Sequence, residues 1–128
     1  MKLRTLLVIN AVLALIYGIS YQVAPTAVIK LYGVTQGPGP AFLARLFGAA
    51  LIGIGLLTWF SRNVQDAGAR RAIILSMLVY SVIALIVVVH ATVTGVMNTV
   101  GWTGVAIFLF LALGYAYFQF LKPGKTQP

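Results

Sequence analysis

The sequence predicts an all-α fold: a polytopic membrane protein built as a four-transmembrane-helix bundle, with a short interfacial helix after the first span. Three observations lead there. Of 128 residues, 61% are hydrophobic and only 8% are charged, where an ordinary soluble domain carries roughly a quarter charged residues. The apolar excess gathers into four runs at about 5–23, 41–60, 72–93 and 102–121. Each is long enough, at about 1.5 Å per helical residue, to cross a hydrocarbon core of about 30 Å. All charges but Arg45 sit between and beside these runs, so residues 1–128 read as a single four-helix transmembrane domain.

The basic residues are unevenly divided. Lys2 and Arg4 precede the first run, Arg62, Arg70 and Arg71 separate the second from the third, and Lys122 and Lys125 follow the fourth. Only Lys30 and Arg45 fall on the other side. The positive-inside rule then places both termini in the cytoplasm, as expected of a multi-pass protein of the cell (inner) membrane. The net charge of +8 does not point to nucleic acid, because the basic residues lack aromatic interleaving and a soluble platform. The basic start and first run resemble a signal peptide, but Gln22-Val23-Ala24 followed by Pro25 is a poor cleavage site. The first helix is therefore expected to be retained.

Asn10, Ala14, Tyr17 and Tyr21 recur at helical spacing in the first run and form one stripe of small and polar side chains, which should face protein. Asn10 reads as an interhelical hydrogen-bonding residue, and the tyrosines as belt or pocket residues. Between the first and second runs, Pro25 suits a helix start and Gly33 a helix stop, so a short interfacial helix is expected with Lys30 reaching for headgroups. Gln36 to Pro40 is a turn-rich break, and Pro40 can start the second helix.

The second run places Arg45 inside an otherwise uncharged segment. Gly48, Ala49, Gly53 and Gly55 supply a helix-packing face through the small-x-x-x-small pairs Ala44/Gly48 and Ala49/Gly53. Two readings of Arg45 stay open: an arginine snorkelling to the outer interface, or one turned inward to hold a polar or anionic group. Asp66, the only acid in the chain, is expected to cap the third helix and to pair with Arg70 at i, i+4. In that helix Ser76, His90 and Thr94 share a broad face, and His90 is either a packing residue or a ligand contact at the depth of Arg45. Trp102 anchors the fourth helix at the interface.

Tyr17, Tyr21, Gln22, Arg45, His90, Thr94, Asn98 and Trp102 all fall in the outer half of the expected bundle. Any pocket should therefore open outward, with Arg45, His90, Tyr17, Tyr21, Asn98 and Trp102 as candidate ligand-binding residues for the polar head of a lipophilic molecule. No catalytic residue and no metal ligand set is assigned, and no cofactor is implied. The sequence holds no cysteine, no carboxylate dyad, no nucleophile-base pair and no Gly-rich phosphate loop.

Ala24-Pro25, Leu31-Tyr32-Gly33, Arg45-Leu46-Phe47-Gly48-Ala49 with Gly53 and Gly55, and Asn98 with Gly101-Trp102 together resemble small uncharacterised bacterial four-helix integral membrane proteins, broadly DoxX-like. The resemblance implies a four-helix bundle in a bacterial inner membrane and transfers no catalytic residue. Some DoxX-like proteins accompany sulfur or thiol redox systems; without cysteine, such a role here would fall to a partner. The leading expectation is a non-enzymatic binder of a lipophilic ligand, or an accessory or scaffold subunit. Its partners would be membrane lipids, a lipophilic small molecule or another membrane protein. The alternatives are a homodimeric small-solute transporter or channel, and a membrane enzyme subunit handling a quinone or lipid.

Overall fold

The computed structural model describes residues 2–121. Helix α1 spans Leu3–Val23, α2 Pro25–Leu31, α3 Pro38–Phe60, α4 Ala67–Val93 and α5 Gly101–Ala116, the last continuing as a π-helical stretch over Tyr117–Leu121. Four helices, all but α2, are long and apolar enough to cross a membrane. The short helix expected after the first span is α2. Lys122 and Lys125, used above as topology signals, lie outside the described residues.

Local chemistry explains where the helices begin and end. Helix α3 starts at Pro38, two residues ahead of Pro40. Both prolines fit because amides of a first helical turn have no intrahelical acceptor to lose. Helix α4 starts well before its apolar run because Asp66 caps it, Oδ2 accepting the Ala69 amide at 2.8 Å. The expected Asp66–Arg70 pair is not made. Arg70 is buried, and its guanidinium carbon lies 6.0 Å from the Phe118 ring centroid, so an aromatic face takes the place of the carboxylate. Helix α2 ends in a Schellman motif: the Val34 amide bonds the Ile29 carbonyl at 3.0 Å and the Gly33 amide bonds Lys30 at 2.9 Å. That closure needs the left-handed backbone of Gly33, whose φ is 75°.

Packing is pairwise. The buried residues of α3, Ala44, Gly48, Leu51, Gly55 and Thr58, recur at alternating spacings of four and three and meet α1 along its length. A Cβ on Gly48 would lie 2.7 Å from the Tyr21 Cβ and 2.9 Å from the Gly18 carbonyl oxygen, and one on Gly55 would lie 2.7 Å from Leu15 Cγ. The two backbones therefore touch. Helices α4 and α5 form a second close pair, with Tyr80 and Phe108 edge to face at 5.9 Å. Between the pairs the main helix-helix contact is the lighter one of α1 with α5. The four long helices thus form an arc in the order α3, α1, α5, α4.

The arc is closed at its two ends. Where the chain termini lie, Leu3, Leu6 and Leu7 of α1 pack with Ile74 and Met77 of α4 and with Leu111, Tyr115 and Phe118. At the opposite end, α2 and the turn between α4 and α5 are fastened backbone to backbone, the Asn98 amide donating to the Tyr32 carbonyl at 2.8 Å.

The packing face includes only part of the small-residue set. Gly48 and Gly55 carry it with Ala44, whereas Ala49 is exposed and a Cβ on Gly53 would meet nothing within 4 Å. At about 100° per residue, Ala49 and Gly53 are rotated away from the Ala44–Gly48–Gly55 seam. Gly48→Ala should lower resistance to denaturation by about 1–3 kcal/mol through overpacking, while Gly53→Ala should be neutral or mildly stabilising. Unfolding of detergent-solubilised protein by dodecyl sulfate, followed by circular dichroism, separates the two.

Candidate functional site

The arc encloses a cavity of about 500 Å³. One wall is α1, through Asn10, Leu13, Ala14, Tyr17 and Tyr21, joined by Phe47 and Leu51 of α3. The other is the α4–α5 pair, through Tyr80, Ile83, Ala84, Val87 and Val88, with Gly104, Ile107, Phe108 and Leu111. Tyr32, Val34 and Met97 cover the α2 end. The mouth is lateral. Phe47, Ile83 and Val87 line the cavity and yet are 41%, 57% and 59% exposed, which places the opening on the side where α3 and α4 do not pack together. The expected outward opening is therefore replaced by one through the flank of the bundle, because α2 and the Met97 turn cover the end.

Polar groups mark the two ends of this apolar space. Near the termini, the buried Asn10 donates through Nδ2 to the Tyr115 hydroxyl at 2.6 Å and approaches Met77 Sδ at 3.6 Å. Asn10 is thus the interhelical hydrogen-bonding residue its position predicts, and it ties α1 to α5. At the α2 end, Tyr17 Oη lies 2.9 Å from Tyr32 Oη, which lies 3.4 Å from Thr103 Oγ1. Thr103 in turn donates to the Val100 carbonyl at 2.7 Å. Tyr21 shares the wall with Tyr17, its ring edge to face with Phe47 at 5.7 Å. No charged side chain among the described residues lines the cavity, and no group of three His, Cys, Asp or Glu gathers among them.

The structure separates the candidate set. Tyr17 and Tyr21 line the cavity. Arg45 and His90 are exposed and do not; the Arg45 backbone carbonyl instead accepts from Gln22 Nε2 at 2.7 Å, linking α3 to α1. Arg45 stands about 60° from Gly48 on the side of Ala49 and Gly53, which turns it off the packed seam. Trp102 is half exposed at the start of α5. Asn98 works as a clasp: Nδ2 donates to the Leu31 carbonyl at 3.1 Å and Oδ1 accepts the Val100 amide at 2.9 Å. Ser76 and Thr94 are exposed as well; inward polar groups of α4 are the Tyr80 hydroxyl, buried without a partner among the described residues, and the fully buried Ser81, whose spacing of four from Met77 and seven from Ile74 marks its face.

Tyr32, Thr103 and Tyr80 are site residues that the sequence reading did not single out. Tyr32, the C-cap of α2, follows the buried Ile29 by three residues, a helical spacing that signals a shared face. For Tyr80 no local pattern distinguishes a cavity wall from a lipid-facing surface, and Thr103, which is exposed and does not line the cavity, joins the site only through its contact with Tyr32.

The fold and cavity define a small helical protein with four membrane-length helices and an uncharged internal pocket. A family model described as a domain of unknown function (DUF8292) matches residues 2–123, and the chain belongs to that family. No curated protein and no solved structure matches it.

Replacing Asn98 by alanine removes the acceptor of the Val100 amide and one donor to α2, while the backbone bond to Tyr32 survives. The local opening free energy at the α4–α5 turn should fall by about 1 kcal/mol. Hydrogen exchange of the Val100 amide should accelerate accordingly, with amides of the α1–α3 seam unchanged.

Proposed function

We propose that this protein is a non-enzymatic membrane protein that takes a lipophilic molecule sideways from the bilayer into the cavity between its two helix pairs. The observation that carries this reading is the shape of the cavity: about 500 Å³, apolar, closed at both ends of the bundle and open on one flank. That volume falls within the range of about 300–1,000 Å³ typical of small-molecule sites. A transmembrane helix of a partner, about 10 Å wide, would need a groove open at both ends. Among the described residues the cavity wall has no charged group to serve as acid or base, which favours binding over chemistry.

In this reading the chain is one membrane-embedded unit with both termini on the cytoplasmic side of a bacterial inner membrane. The distribution of Lys2, Arg4, Arg62, Arg70 and Arg71 supports that orientation. Surrounding lipids are its constant partners, and Arg45 and His90 face them from outside the pocket. The broad likeness to DoxX-like bundles belongs with this proposal and adds no chemistry to it. A second reading, a homodimeric transporter or channel, draws on one feature: Ala49 is exposed and Gly53 is open, leaving a strip of α3 where a second backbone can approach.

Native mass spectrometry of gently extracted protein tests the first reading. Wild type should carry a lipophilic adduct that Ala84→Trp, which fills the cavity from α4, loses by at least tenfold. Arg45→Ala should keep the adduct. An adduct that survives Ala84→Trp and is lost with Arg45→Ala would move the site to the outer surface of α3, and a dimer disrupted by Gly53→Leu would favour the second reading.

A further inference from the structure

The hydroxyl groups at the α2 end of the cavity can be assigned a direction. Thr103 Oγ1 has one proton, and it is committed to the Val100 carbonyl at 2.7 Å, which can only accept. Thr103 therefore meets Tyr32 as an acceptor, and Tyr32 is the donor across the 3.4 Å contact. With the Tyr32 proton spent there, the 2.9 Å contact between the tyrosines has Tyr17 as donor. The reverse orientation makes only one of the two bonds and leaves the Tyr32 and Thr103 lone pairs facing each other. The chain thus runs one way, from Tyr17 through Tyr32 and Thr103 to the Val100 backbone.

Its consequence falls on the cavity. Tyr17 lines the wall with its proton already directed to Tyr32, so the group it offers inward is a lone pair. Tyr21 lies one turn further along the same wall, and its hydroxyl makes no hydrogen bond among the described residues. It can donate. One acceptor and one donor on the same face match a hydroxyl, which gives one hydrogen bond and receives another. A ketone, ester or ether could use Tyr21 but would set its oxygen against the Tyr17 lone pair. An ionised head is disfavoured because no charged side chain among the described residues lines the cavity to repay its desolvation.

Building on the lateral-binding reading above, we propose that the cavity is selective for a neutral lipophilic alcohol, its chain lying among Leu13, Leu51 and Ile107 and its hydroxyl donating to Tyr17 and accepting from Tyr21. The shared chemistry is one hydroxyl on an apolar chain, whether that chain is linear or prenyl.

Binding of hexadecanol, geranylgeraniol, hexadecyl methyl ether and hexadecane to the full chain in phosphatidylcholine nanodiscs tests the inference, with Ala84→Trp as the blocked cavity. Wild type should bind either alcohol about three- to tenfold more tightly than the ether, the worth of one hydrogen bond that the ether cannot donate. Tyr17→Phe, which keeps the ring, should abolish that preference, weakening the alcohols and leaving the ether bound as tightly or more tightly, since the lone pair it faced is gone. Equal binding of alcohol and ether to wild type, lost in Ala84→Trp, would overturn the hydroxyl selectivity while leaving the cavity reading in place. Binding of every probe unaffected by Ala84→Trp would overturn both. The tighter of the two alcohols names the chain.

Discussion

Gly18, Gly48 and Gly55 bring the α1 and α3 backbones together so closely that a single Cβ at any of them would meet an atom of the other helix within 3 Å. In a bilayer, apolar side chains gain little by leaving lipid for one another, so close backbone approach and dispersion must hold helices together. The seam fixes α1 and α3 as one body. Thr58, buried in the same seam, spends its hydroxyl on the Ile54 and Gly55 carbonyls and leaves no polar atom to satisfy across it. The α4–α5 pair is the other body, and the cavity is what remains when two tight pairs are held apart.

Separation is maintained because the pairs meet mainly at their ends. Near the termini an apolar cluster surrounds the Asn10–Tyr115 hydrogen bond, a polar contact that loses value if the pairs slide, since each group would then be buried alone. At the far end the Tyr32–Asn98 clasp ties α2 to the α4–α5 turn. Between the aromatic side chains of its walls, Ala14, Ala84 and Gly104 leave space that nothing fills. Small residues that elsewhere draw backbones together here leave volume, because the opposing helix is not drawn in.

The contrast between Arg45 and the tyrosines shows how far sequence patterns reach in such a bundle. Arg45 is a charge within an apolar run, and its depth alone does not fix which way it points. One position on a helix wheel separates a snorkelling arginine from a buried one, and α3 is apolar all round, so no hydrophobic stripe fixes its rotation. The Gly48 and Gly55 contacts fix it, and they place Ala44 inward and Ala49, Gly53 and Arg45 off the seam. Asn10 is legible from its surroundings: an amide deep in an apolar helix needs a partner, and its stripe with Ala14 and Tyr17 points toward protein. Tyr32 and Thr103, by contrast, meet across 71 residues of chain, a distance no local period can bridge.

The sequence by itself determined the all-α class, the four membrane-length helices, the short helix closed at Gly33 and the Asp66 cap. Each follows from local chemistry: apolar length against bilayer thickness, proline and glycine backbone limits, and a carboxylate facing unpaired amides. Only the tertiary structure decided that the helices pair as α1 with α3 and α4 with α5, that the flank between α3 and α4 stays open, and that three hydroxyls line up in one direction. Those outcomes depend on how apolar helices rotate and pair. Many rotations bury similar apolar surface in lipid, and the choice among them rests on a few glycine contacts and end-on hydrogen bonds.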